Sequence, residues 1–278
     1  MRISIVHSTV YRYDSPVFLE PHTFRLRPRE DGTQRLSAYL ISISPTPAGQ
    51  TQCLDHDGNV IIQAWFSGST PQLSVQTSFV VETHRENPFD FLLAPPDRVL
   101  PMEYAELLRA PLCAYQLAPP NPAVRELAES IAAESGWQTI PFLSALNLRL
   151  NAITHQVIRH EGAPLPAEET LRTGEGSCRD LAVLFCAACR AVGLAARFVS
   201  GYERDSADVD EGDLHAWAEV YLQGGGWRGY DPSRGLAVGL SHVAVAAAAA
   251  PLLAAPITGT YRGAANARME FSIAMQVG

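Results

Sequence analysis

Three residue types needed for thiol-based acyl transfer occur along this chain in a usable order: a cysteine, then a histidine, then an aspartate. Cys178 stands in GEGSCRD (residues 174–180), directly ahead of the apolar run LAVLFCAACRAVGL. A helix start leaves backbone N–H groups unpaired and gathers positive partial charge, and both effects favour a thiolate over a thiol. Gly174 and Gly176 are expected to let the preceding backbone turn sharply and to leave room for a substrate carbonyl. A nucleophilic thiol needs a base, and LHAWAEVY (214–221) offers His215. The period of two in a strand puts His215, Trp217, Glu219 and Tyr221 on one face and Leu214, Ala216, Ala218 and Val220 on the other. A three-glycine turn at 224–226 then returns the chain through WRGY to Asp231-Pro232. A hairpin of that length carries Asp231 beside His215. A carboxylate there can fix the tautomer and orientation of the imidazole while its other nitrogen faces the thiol.

Each residue also has a plainer reading. Cys178 could be a small buried hydrophobe, His215 a half-buried strand histidine, and Asp231 a turn residue before proline. Their order and setting together favour the chemical reading. Other candidates are set aside. Cys186 and Cys189 match C-x-x-C but fall inside a continuous apolar helix with no second pair to complete a zinc site. Cys178 lies roughly 12 Å from Cys186 along a helix, too far to share a metal. The acidic stretch 205–213 does not follow the calcium-loop spacing and reads as a solvated loop leading into His215. Asp180 is expected to stabilise the helix start or to pair with Arg179, and Glu219 to be structural.

These residues need elements to hold them. Residues 1–84 alternate in strand fashion over 3–13, 36–44 and 73–83, and Asp57-Gly58 marks a hairpin turn. That pattern predicts a β-sandwich. Prolines 88, 95, 96 and 101 suggest a linker or irregular crossing over 85–120. From 121 the period becomes helical: Asn121-Pro122 reads as a helix start, a second helix is expected over 142–160, and a third from Ser177 or Cys178 to Gly193. Strands follow at 195–202, 214–222, 227–230 and 269–277. The predicted class is α+β: an N-terminal β-sandwich, then helices packed on an antiparallel sheet over 121–278.

The run 170–235, with GEGSCRDLAVLFCAACRAVGLAARFVSGY, LHAWAEVY and GWRGYDPSRG, resembles the core of the bacterial transglutaminase-like superfamily, of papain-like fold. TVYRYDSPV, HTFRLRPR and the DHDGN hairpin are similar to that family's β-rich N-terminal region. The resemblance implies that Cys178 is the nucleophile, His215 the general base and acid, and Asp231 the histidine-orienting acid. It departs at Arg179, where glutamine or tryptophan is usual, and in the alanine-rich run VAVAAAAAPLLAAP after His242. No calcium site of the animal enzymes is expected, and no cofactor.

The implied activity is that of a cysteine protease, amidase or acyltransferase working through a thioester. The choice between water and an amine as acceptor stays open, as does a catalytically silent peptide-binding module. The Cys178 backbone N–H is the natural first oxyanion donor. Trp137 is a possible second, although packing suits it better. The formal net charge of -8 speaks against a nucleic-acid surface. The most apolar window, residues 243–257, carries two prolines and is too short to span a membrane. The five cysteines have no disulfide-framework spacing, which points to a reducing, cytoplasmic setting. A protein or peptide substrate is the expected partner, with no nucleic-acid or membrane partner.

Overall fold

Alternating apolar and polar residues lay down the first part of the chain as strands. The computed structural model, which describes residues 1–117, 121–160, 162–204 and 213–278, contains six of them before residue 84. They are β1 (Arg2–Leu19), β2 (His22–Phe24), β3 (Gln34–Ser44), β4 (Gly49–Leu54), β5 (Val60–Trp65) and β6 (Ser69–Thr83). β6 pairs with β1 and β3 in one antiparallel sheet, and β5 pairs with β2 and β4 in a second. Val17, Leu19, Phe24, Phe66, Leu73 and Val75 fill the space between the sheets. The Asp57-Gly58 turn forms as its residues predict, with Gly58 at φ +76° and β4 and β5 in register on either side.

The stretch 85–120 is more than a linker. It contains a helix, α1 (Glu106–Gln116), despite Pro111 inside it. An interior proline costs a helix about 3 kcal/mol, so the propensity signal fails here. Its buried face opposes that cost: Leu112 lies in the main core, and Leu108 and Tyr115 pack against it. α2 (Pro122–Glu134) begins as expected, the Asn121 side chain accepting from the Ala123 N–H at 3.0 Å. α3 occupies Thr139–Ile153, starting and ending earlier than the predicted 142–160. It stops because β7 (His155–Gln156) leaves the helix to pair in parallel with β8 (Glu175–Gly176), just after α4 (Ala167–Thr173).

α5 (Cys178–Ala191) is the central helix, and Leu181, Leu184, Phe185 and Ala188 are fully buried along it. Each such Leu or Phe contributes about 1.5–3 kcal/mol of burial. The helix packs on a sheet of β9 (Ala196–Glu203), β10 (Leu214–Leu222), β11 (Gly226–Asp231), β12 (Leu236–Ala237) and β13 (His242–Ala248), in the order β12–β11–β10–β9–β13. As predicted, Ala218 and Val220 of β10 lie in the same buried cluster as α5. Among the described residues no helix is long and apolar enough to cross a membrane.

The alanine-rich run has a structural role. β13 lies at the edge of the core sheet, and the sandwich packs against it: Val243 and Val245 cluster with Ile3, Ile5, Phe79 and Val81. Two side-chain amides take the place of a neighbouring strand. Gln34 bonds both the N–H and the C=O of Ala244, each at 2.8 Å, and Asn59 does the same at Ala247, at 2.8 and 2.9 Å.

The chain then returns to the sandwich. β14 (Ile257–Thr258) pairs with β2, while β15 (Tyr261–Arg262) and β16 (Ala267–Val277) pair with β1. The final strand therefore departs from the predicted division at 121–278: it completes the N-terminal sheet instead of the core sheet. The 18-residue β1 would otherwise present a long open edge.

Candidate active site

Cys178 is the first residue of α5, and the turn ahead of it is built by its neighbours. Gly174, at φ +66°, is the left-handed cap that ends α4. A Cβ on Gly176 would meet Thr170 and Asp180 at 3.0 and 3.1 Å. The two glycines therefore serve the turn and its packing, not access for a substrate carbonyl as their sequence suggested. Ser177 caps the helix with Asp180 three residues on: its N–H and hydroxyl donate to Asp180 Oδ2 at 2.8 and 2.7 Å. Asp180 pairs with Arg159 at 2.5 Å. Burial works against its charge, but donors from Leu165, Ser177 and Arg159 hold the carboxyl below its usual range. Arg179 Nη2 donates to the Arg159 carbonyl at 2.7 Å, so the residue that departs from the family pattern pins the segment after β7 beside the thiol.

The half-buried Cys178 shares the cleft with the His215 ring and lies near enough to favour charge on it. His215 Nε2 donates to Asp231 Oδ2 at 2.6 Å, which leaves Nδ1 as the nitrogen for the thiol. Asp231 is fully buried, and the His215 side chain is 12 % exposed. Burial disfavours charge on the imidazole, but the bond to Asp231 and the nearness of Cys178 outweigh it and push the His215 pKa up to about 10. Bonds from His215 and His242 likewise overcome burial and hold Asp231 well below the usual carboxylate range. The structure thus brings the three predicted residues together. Glu219 points elsewhere, bonded to Arg197 at 2.7 Å in an ion pair over which Trp227 stacks.

Two neighbours escaped the sequence reading. His242 Nε2 also donates to Asp231 Oδ2, at 3.1 Å. Its strand pairs with β9, so its approach to Asp231 depends on sheet order and leaves no trace in spacing. Gln156 lines the cleft and donates to the Ser233 carbonyl, holding the loop after Asp231. Its only signal was a polar residue within what reads as the end of a helix. The ligand atoms of His215, Asp231 and His242 lie within 4.8 Å of one another, a set that could in principle hold a metal. Here both imidazoles bond the carboxylate directly, and the 2.6 Å contact leaves no room for an ion between His215 and Asp231.

A cleft of about 810 Å³ opens on Cys178 and His215. Ser177, Arg179, Phe198 and Leu214 line it from the core, and Tyr11 of β1 with Met269 and Phe271 of β16 line it from the sandwich. His160 reaches across to the Phe271 ring, 5.2 Å away between centroids. His7 in the same wall is kept neutral by burial, its pKa pushed down to about 4, between the Tyr202 and Thr9 hydroxyls. Trp137 sits in a turn at φ +56°, 41 % exposed, and does not line this cleft, which removes it as an oxyanion donor. Cys186 and Cys189 are buried, and burial pushes the Cys186 thiol up to about 11. The acidic stretch lies outside the described residues except for Asp213, which stands at the cleft.

A helix-start cysteine facing histidine and aspartate on adjacent antiparallel strands, with a β-sandwich on one side, defines a papain-like core of transglutaminase type. Residues 127–232 match the transglutaminase-like superfamily and residues 3–82 match the bacterial transglutaminase-like N-terminal region, and the chain belongs to this superfamily. The uncharacterized protein ML0607 of Mycobacterium leprae is 26 % identical over 268 residues, covering 94 % of each chain. The uncharacterized protein Rv2569c of Mycobacterium tuberculosis is 28 % identical over 262 residues, covering 88 % of this chain and 82 % of its own. Among solved structures, a candidate cysteine protease from Cytophaga hutchinsonii shares the fold, with a TM-score of 0.71 at 18 % identity over all of this chain and 91 % of the other.

Proposed function

We propose that this protein is a cysteine-dependent acyl-transfer or hydrolytic enzyme acting on peptide or glutamine-type amides. The observation that carries the reading is a helix-start thiol and an imidazole lining one cleft, with a fully buried carboxylate behind the imidazole at 2.6 Å. Cys178 Sγ attacks the amide carbonyl while the Cys178 N–H at the start of α5 faces the developing oxyanion. As the C–N bond breaks, His215 gives its proton to the leaving nitrogen, and a thioester on Cys178 remains. Water or a second amine then adds, His215 takes the proton, and the thiolate leaves. A proton-transfer group placed this way contributes about 10²–10⁴ in rate. Asp231 keeps the imidazole turned toward the thiol through both steps.

The cleft would equally seat a peptide in a catalytically silent binding module. Alkylation separates the two readings. An enzyme requires Cys178 to react with iodoacetamide near neutral pH at least about tenfold faster than a free thiol, and to lose that excess in His215→Ala. Reaction at the free-thiol rate in both proteins would favour the silent module.

A further inference from the structure

Asp231 is bonded more heavily than orienting one imidazole requires. Its Oδ1 accepts from the Ser233 N–H at 3.0 Å, the Ser233 hydroxyl at 2.6 Å and the Arg234 N–H at 3.2 Å. Its Oδ2 accepts from His215 at 2.6 Å and from His242 at 3.1 Å. His242 occupies a place where packing alone would suit a hydrocarbon ring. Its side chain is 1 % exposed, and it sits edge-on to the fully buried Trp217 at 5.2 Å between centroids. A polar ring buried there loses its hydration and needs partners. It has two, since Nδ1 meets the Ser241 hydroxyl at 3.0 Å and Nε2 meets Asp231.

We infer that His242 is a positioning residue of this site: a second imidazole that holds Asp231 toward His215 and takes a share of its charge. The inference rests on the enzymatic reading of Cys178 and His215. With only His215 bonded to it, Oδ2 would direct its share of the charge at that ring alone and bind the ring's proton more tightly. A second N–H on the same oxygen weakens that hold and leaves His215 readier to give its proton up. The other charged groups nearby do not substitute for it. Glu203, the cross-strand neighbour of His242, is bonded to Arg234 at 2.8 Å. Cys178 and Asp213 line the cleft, which the buried carboxylate does not reach. His242 is itself held in place, because it opens β13, the strand that Gln34 and Asn59 bracket from the sandwich.

The test is the pH–rate profile of Cys178 alkylation by iodoacetate, an anion drawn to the imidazolium, so that its alkaline limb reports loss of the His215 proton. The full-length protein is compared with His242→Phe, His242→Gln and His215→Ala. The Phe variant keeps the ring volume but not the donor, and its alkaline limb is expected to move up by about half a pH unit or more. Its acylation rate by an activated ester is expected to fall about tenfold with little change in KM. The Gln variant carries an N–H to the Nε2 position and is expected to stay close to the wild type. A wild-type profile with no His215-dependent limb would overturn the enzymatic reading, and this inference with it. A wild-type limb that the Phe variant leaves unmoved, or that the Gln variant moves as far, would overturn this inference alone. If the Phe variant fails to fold, nitrogen NMR of the wild-type protein reads the same contact. A proton on His242 Nε2 bonded to Asp231 supports the inference, and an Nδ1–H tautomer overturns it.

Discussion

At the scale of residues, the site is a chain of charge and proton contacts whose pH behaviour follows from its shifts. His215 holds its proton up to about 10 against 6.5 for a free imidazole, so the folded protein binds that proton more tightly than the unfolded chain. Its stabilising contribution is complete below 6.5 and is lost as pH rises through about 10. Asp231 is shifted the other way: its contribution is present above the ordinary 3.8 and is lost as pH falls through its lowered folded value. The pair therefore supports the fold most between 3.8 and 6.5. Asp231→Asn should remove this support, lowering Tm in that window and flattening the alkaline decline. Thermal melts across pH read both, and an unchanged Tm–pH curve would contradict the buried pair. Cys178, His215 and Asp231 were legible because each has a local signature: a helix start, one face of an alternating strand, a hairpin end. His242 was not, because its role exists only once β9 lies between β10 and β13.

Among the elements, β13 and its brackets explain what sequence pattern alone left unaccounted for. Its alanines stand in the sequence as a departure from the family pattern. In the fold they are small residues between two packed bodies: Ala246 and Ala248 cluster with Ala182 and Phe198 of the core, while Val243 and Val245 face the sandwich. Asn59 is fully buried and supplies both hydrogen bonds to Ala247. Asn59→Ala would leave a buried N–H and C=O of β13 unpaired, at about 1–3 kcal/mol for each group. A loss of roughly 2–6 kcal/mol in denaturant unfolding is expected, and a change below about 0.5 kcal/mol would mean that the amide bracket contributes nothing. Element boundaries failed in the sequence where tertiary contacts override local preference. α1 forms through Pro111 because its buried face is anchored, and α3 ends early because residues 155–156 find strand partners at 175–176.

At the scale of the molecule, the sandwich and the core share the cleft, and the chain crosses between them twice. The alternation near residues 269–277 announced a strand but not its partner, because strand pairing is non-local: β16 lies against β1, from Ile3 opposite Val277 to Tyr13 opposite Ala267. That return puts Met269 and Phe271 into the wall facing Cys178. A substrate chain reaching the thiol therefore lies between the two halves, and the core alone would offer only one side of the site. On the proposed function, an amide or ester held there acylates Cys178. The direct measurement is mass spectrometry of the full-length protein, quenched in acid after mixing with a peptide bearing a reactive ester. An acyl adduct is expected on the Cys178-bearing fragment, discharged by a tagged amine or water, absent from Cys178→Ala and strongly reduced in His215→Ala. Absence of any adduct on folded wild-type protein whose Cys178 remains open to alkylation would contradict it.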